Sequence, residues 1–291
     1  MKNADITDPL FRDAVEAIDS GNTALLKHLL ETNPLLVIKR LDNPATGYFK
    51  HPFLLWFVAD NPVRHEKLPT NIVEVASIII GALQKNPGND YQHQLDYTLG
   101  LVSTGRIAKE CGVQIPLMEL LIKEGATVRG SVLGAIGQHN FDAAKLLLDK
   151  GADYNLATAV GLDQPDYIKK LIQTSTPSEL YVALVVASFF GKADIVSLLL
   201  TAGADVNGHG SQKDFGGFHS HAAPLHQAVY SGSLEAVKIF VQAGADLDAT
   251  DKIYDGTPLD WAKYLQGETN DSYTKKKYIE IENYLLAKQE K

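Results

Sequence analysis

His209, His219 and His221 share one segment with Asp205 and Asp214, and His226 follows shortly after. A His-x-His pair on extended backbone turns both imidazoles to one side, and neutral imidazole is a good ligand for zinc, nickel or copper. The spacing is less specific than a Cys-x-x-Cys pair, and structural zinc normally takes four protein ligands. We therefore expect loop histidines and no metal, with His209, His219 and His221 as the weak candidates for one. The other reactive type is Cys111, the single cysteine. A nucleophilic thiol needs a positioned base or cation to lower its pKa, and Lys109-Glu110-Cys111-Gly112 offers one lysine beside a glutamate, so an inert surface thiol is expected. The chain has no Gly-x-Ser-x-Gly elbow, no Walker-type Gly-Lys-Ser/Thr and no His-Glu-x-x-His helix. Gly208-His209-Gly210 is too short to specify a phosphate loop. No catalytic residue and no cofactor is expected. A metal-dependent or thiol enzyme stands as the outlying alternative.

The elements that position these residues belong to a soluble globular composition. Of 291 residues, 45% are hydrophobic and 21% charged, close to the average that builds a core. The formal net charge of -8 disfavours non-specific attraction to nucleic acid or anionic membranes. One cysteine excludes an intrachain disulfide and fits a reducing, cytoplasmic setting. The amino terminus, Met1-Lys2-Asn3-Ala4-Asp5, is polar and leads into no apolar region, so no secretory signal is expected. The longest apolar uncharged run, Leu180 to Gly191, falls well short of the roughly 20 residues that span a bilayer and reads as a buried helix.

A length of 291 residues suggests about two domains at roughly 150 residues each, but internal repetition overrides that count. Gly-Ala-Asp begins at Gly151, Gly203 and Gly244, and Gly-Ala-Thr at Gly125, each after an apolar cluster such as Leu198-Leu199-Leu200. The steps from 125 to 151, 151 to 203 and 203 to 244 are 26, 52 and 41 residues, which points to a unit of about 26 with one interval stretched. In the clearest unit, Ala183 to Phe190 predicts an apolar helix, Gly191-Lys192 a turn, and Asp194 to Leu200 a second helix too apolar to be covered on one side alone. Gly203 is expected past the end of that helix in the left-handed conformation. Thr257 is a suitable N-cap and Pro258 a suitable first helical residue.

The segment Gly-Lys-Ala-Asp-Ile-Val-Ser-Leu-Leu-Leu-Thr-Ala-Gly-Ala-Asp-Val-Asn (191 to 207) resembles the second helix and exit turn of the ankyrin repeat. Asp255-Gly256-Thr257-Pro258-Leu259 and Pro224-Leu225-His226 are similar to its first-helix start. The resemblance implies an all-α ankyrin-repeat solenoid of about eight helix-turn-helix units. They fall at roughly 10–40, 51–85, 91–127, 130–153, 154–176, 177–205, 222–246 and 255–288, as a single domain over 1–291. The first three are divergent. Several loops are shortened against the usual 33 residues. Val206 to Ala222 forms one long Gly-rich finger, and Asn61 to Thr70 is a second insertion carrying Arg64 and Lys67.

In the ankyrin architecture the first helices and loop fingers line a concave groove, which the two positions ahead of each interhelix glycine face. The resemblance thus implies a non-enzymatic scaffold that binds a protein partner through this groove and the 206–222 finger. Its early positions offer Asp19, Asp60 and Glu110. Its late ones offer Phe189, Phe190, Tyr230 and Tyr264, to which the finger adds Phe215 and Phe218. Aromatic residues on a rigid frame are favoured interface anchors. An inhibitor or immunity-type protein masking a basic enzyme site with the acidic half is the alternative. Neither a nucleic-acid nor a membrane partner is expected, and the chain is expected to be a monomer. Trp56 and Trp261 are expected in the core. Lys275-Lys276-Lys277 followed by Tyr278, Ile279, Ile281, Tyr284 and Leu285 predicts an amphipathic capping helix.

Overall fold

The computed structural model describes residues 5–42, 47–128, 130, 132–208 and 217–289. These are all-α, without a strand among the described residues, and they divide into two compact units, 1–152 and 153–291.

In unit 153–291 four helix pairs follow one another: α9 (Leu156–Gly161) with α10 (Pro165–Leu171), α11 (Pro177–Phe189) with α12 (Ala193–Thr201), α13 (Pro224–Tyr230) with α14 (Leu234–Gln242), and α15 (Pro258–Glu268) with α16 (Ser272–Gln289). First helices pack on first helices, α9 on α11, α11 on α13 and α13 on α15, while α12 packs on α14 and α14 on α16. Covered from several sides, α11 buries Leu180, Tyr181, Leu184, Val185, Val186 and Phe189 among others, which accounts for its continuously apolar sequence. Its start is a reciprocal capping box, Thr176 with Glu179, and that of α15 is another, Thr257 with Asp260, each ahead of a proline at the first helical position.

Two of the second helices, α12 and α14, end alike. After α12, Gly203 at φ 96° donates its N–H to the Leu200 carbonyl, and Ala204 donates to that of Leu199, both at 3.0 Å. This paired closure satisfies the carbonyls that the last turn leaves open. The same pair of bonds recurs at Gly125 and Ala126, Gly151 and Ala152, and Gly244 and Ala245. Between the helices of a pair the constraint is steric as well. Gly191 sits at φ 63°, and a Cβ there would lie 2.9 Å from both Ser231 Oγ and Ser233 Cβ of the next turn. On α16, Tyr278, Ile281 and Leu285 face inward, while Ile279, expected with them, is exposed.

In unit 1–152, α1 (Pro9–Ser20) and α2 (Thr23–Thr32) form a hairpin through Gly21, and a 3-10 turn, Pro34–Val37, follows. The next pair opens on a 3-10 helix, Leu54–Ala59, with all six residues buried, and closes on α3 (Ile72–Lys85). The third has its first helix broken at Gly105 into α4 (Tyr91–Thr104) and α5 (Arg106–Glu110), then α6 (Gln114–Lys123). The fourth is α7 (Val132–Gly137) with α8 (Phe141–Asp149). Phe11, Phe53 and Phe57 are fully buried, with Phe11 meeting Phe57 edge-on at 5.7 Å.

The three expected groove acids all lie in this unit, and two of them, Asp19 and Asp60, are not open charge. Asp60, 1% exposed, accepts the backbone N–H groups of Arg64 at 3.0 Å and His65 at 3.4 Å, and lies 3.5 Å from Arg64 Nε. The Arg64 guanidinium donates to both carboxylate oxygens of Asp19, at 3.0 and 2.7 Å, and lies 4.8 Å from the centroid of the Phe57 ring. Asp60 is thus an internal counter-charge, because the 61–70 insertion folds back and places a buried arginine between the two acids. Removing one member of such a buried pair typically destabilises by about 3 kcal/mol or more. Arg64→Ala should therefore lower the unfolding free energy of unit 1–152, measured by urea titration, by that scale. Arg64→Lys should recover only part of it, since an ammonium cannot make the two-pronged contact to Asp19.

Candidate functional site

Of the late aromatic positions, Phe189, Phe190, Phe218 and Tyr230 join one ribbon of rings in unit 153–291. Phe189, at the end of α11, stacks on Tyr230, at the end of α13, with ring centroids 5.2 Å apart and planes 23° from parallel. Phe218 on the return of the finger meets Phe189 edge-on at 5.0 Å, and Phe190 does so at 5.2 Å. The ribbon continues from Tyr230 to His219 at 4.5 Å, and from His219 to Trp261 at 5.3 Å. It runs on from Trp261 to His221 at 5.8 Å and from His221 to Tyr254 at 5.9 Å. Tyr264 lies three residues after Trp261, on neighbouring positions of α15.

Burial divides this set. Phe189 is 8% exposed and Phe218 is also buried, so they are floor, while Phe190 is half-buried with the Lys192 ammonium 5.8 Å from its centroid. Tyr230 is 37% exposed, Tyr264 65% and Tyr254 76%. Trp261, expected in the core, is half-buried. Phe215 and His209 lie outside the described residues.

In unit 1–152, Glu110 is exposed and bonded by Arg106 at 2.8 Å, and Cys111, exposed, caps α5. Trp56 is buried there, stacked on Tyr97 at 4.1 Å.

Beneath the ribbon sits Asp251, with no exposed surface. Its Oδ1 accepts the N–H groups of Ile253 at 2.9 Å and Tyr254 at 2.8 Å, and its Oδ2 those of Gly256 at 3.1 Å and the Trp261 indole at 3.0 Å. Burial alone would push this carboxyl up. The Trp261 indole and the backbone donors of Tyr254, Ile253 and Gly256 outweigh it and hold the pKa down to about 2. The loop from 251 to 257 is thereby wound around one carboxylate, and its tip carries exposed Ile253 and Tyr254.

The histidines gather around the same carboxylate. His226, fully buried on α13, faces the Gly256 carbonyl through Nε2 at 3.0 Å, and His221 Nε2 lies 3.9 Å from Asp251 Oδ1. Burial lowers the pKa of His219, with His221 adding to the effect and Asp251 opposing it. Burial also lowers that of His226, against the Gly256 hydrogen bond and Asp251. Among the described residues no group of three His, Cys, Asp or Glu side chains is placed to hold a metal ion.

Asp251, Ile253 and Tyr254 were not expected at the site from the sequence. The available signal was the Asp251…Asp255-Gly256 spacing, since aspartate bonding backbone two or three residues on is a turn former.

Comparison with family models finds ankyrin repeats, three copies, at residues 156–251 and 184–269, both inside unit 153–291. No curated protein matches the chain.

Asp251→Asn removes the charge while keeping the shape. It should destabilise unit 153–291 by about 2 kcal/mol, the scale of a pKa held nearly two units below its unfolded value. The sign follows from that depression: the contribution is complete above about pH 4, the unfolded carboxyl value, and lost as pH falls through about 2. Thermal unfolding of the two proteins should converge over that acid range and differ most near neutrality.

Proposed function

Because the chain belongs to the ankyrin-repeat family, we propose that it is a non-enzymatic scaffold that docks a protein partner on the aromatic ribbon of unit 153–291. Ankyrin repeats generally mediate protein–protein interaction, and the partner surface in this reading is the exposed edge of the ribbon. The observation that carries it is the accessible Tyr230, packed on Phe189 and His219, and the accessible Tyr254, packed on His221, with Tyr264 exposed on the neighbouring turn of α15. Large rings immobilised before binding lose little entropy when a partner covers them, and each presents a hydroxyl for orientation. The finger return at 217–222 and the 251–257 loop flank the ribbon and extend the same surface.

Masking of a basic enzyme site by the early acids draws less support, because Asp60 is internal and Asp19 is engaged by Arg64. No described helix is long and apolar enough to cross a membrane.

Replacing Tyr230, Tyr254 and Tyr264 together by alanine should leave the helical circular dichroism unchanged. Buried anchors commonly account for about tenfold in affinity or more each. A protein retained from native-host lysate by the wild-type chain should therefore be lost at least tenfold with the triple variant. Identical retained proteins with both would rule this surface out.

A further inference from the structure

We propose that His219 and His226 form an acid-sensitive latch: neutral, and packed with His221 and Trp261, they hold the finger return at 217–223 and the 251–257 loop over α13 and α15, and on taking up protons they release both. The proposal goes beyond partner docking and stands whether or not the ribbon binds one.

The geometry is that of three imidazoles with one carboxylate between them. His219 and His221 have ring centroids 5.6 Å apart, His219 and His226 each pack on Trp261, at 5.3 and 5.2 Å, and His221 lies 3.9 Å from Asp251. Three buried ring nitrogens, His219 Nε2, His221 Nε2 and His226 Nδ1, have no hydrogen-bond partner among the described residues. In the neutral ring such an atom serves as an acceptor with nothing to accept, a modest penalty. In the imidazolium it becomes an N–H donor carrying charge into an aromatic enclosure.

The groups facing the cluster decide the balance. From the 251–257 loop come Asp251 and Tyr254, from α13 Tyr230, from α15 the Trp261 indole, and from α11 Phe189. Behind them, the α16 residue Tyr278 donates its hydroxyl to the Tyr230 carbonyl. Lys213 and Asp214 lie outside the described residues. The one carboxylate in this set already accepts four N–H donors. It has little capacity left to offset charge on both His219 and His226, and a second charged ring meets like charge within the same enclosure. Opening the two segments returns the rings to water, where their pKa is the ordinary value of about 6.5. Since burial depresses His219 and His226 in the closed form, the open form binds more protons below that value, and acid favours it. Each unit of depression is a tenfold change in the open-to-closed ratio. His219 and His221 are the links between Tyr230, Trp261 and Tyr254, so opening dismantles the ribbon.

Hydrogen exchange on the full chain at pH 7.5 and 5.0, corrected for intrinsic rates, tests this. Amides of 217–223 and 251–257 should lose about tenfold or more of their protection at the lower pH, reversibly, while those of α1 and α2 do not. His219→Phe keeps a ring among Phe189, Tyr230 and Trp261 and should reduce the loss. Unchanged protection, a loss spread evenly over the chain, or an undiminished loss in a folded His219→Phe protein would each overturn the latch. Should that variant fail to fold, nuclear magnetic resonance of the wild-type imidazoles decides. Two should titrate below the ordinary histidine range with the Trp261 indole signal moving at the same pH. Titration of all nine in the ordinary range, with Trp261 unmoved, would overturn it.

Discussion

A helix of seven residues such as α13, or thirteen such as α11, is too short to hold its shape in water on propensity alone. Paired into a hairpin, it still buries only part of its apolar surface, and the remainder must be covered by the next pair. That dependence on neighbours governs unit 153–291. A recurrent exit from the second helix serves it: the paired bond at Gly203 and Gly244 closes α12 and α14, and the same pair at Gly125 and Gly151 closes α6 and α8 of unit 1–152, while α10 ends without glycine. The dependence also requires close approach between successive turns, and the missing side chain of Gly191 leaves room for Ser231 and Ser233.

Unit 1–152 meets the same demand by other means. A 3-10 helix at Leu54–Ala59 is narrower than an α-helix, and its side chains eclipse every third residue, so it cannot present the same ridge to its neighbours. Polar bonds from the insertion make up the register. Arg64 bridges Asp19 and Asp60, Asn61 donates to the Leu101 carbonyl at 2.9 Å, and Asn71 donates to the Gly21 carbonyl at 2.9 Å. Each of these joins a residue of the insertion or its edge to another helical pair; the later pairs are cross-braced too, by Lys192 on the Val160 carbonyl at 2.7 Å and Asn207 on the Gly244 carbonyl at 3.1 Å, beside a larger share of apolar contact.

This difference explains what could be read from the residues. Helix exits, the Thr257 cap and the buried course of α11 depend on neighbours a few positions away, so the local sequence encodes them. The 3-10 form of Leu54–Ala59 does not follow from its apolar composition, which suits an α-helix equally well. The burial of Asp60 depends on Arg64, whose path through an insertion has no periodicity to follow. Phe189 and Phe190 are adjacent on one helix end, equally apolar, and only the position of α13 and the finger decides that the first becomes floor and the second edge. The role of Asp251 was missed because its partners, Trp261 and the histidines, converge from three separate segments.

An apolar residue at 251 would seem a simpler floor for an aromatic ribbon, yet the ribbon contains a tryptophan, and a buried indole N–H seeks an acceptor. The contrast with Trp56 is instructive: its Nε1 is buried without a hydrogen-bond partner among the described residues, inside a stack with Tyr97. At Trp261 the acceptor is a carboxylate that simultaneously winds the 251–257 loop, so the indole is fixed in orientation as well as in depth. Once that charge is in place, neutral imidazoles become suitable neighbours. They pack as flat rings, as phenylalanine would, while His226 satisfies the Gly256 carbonyl that the loop would otherwise leave bare. Rings that can take up a proton therefore stand where phenylalanine would pack as well, around the one buried carboxylate that fixes the loop.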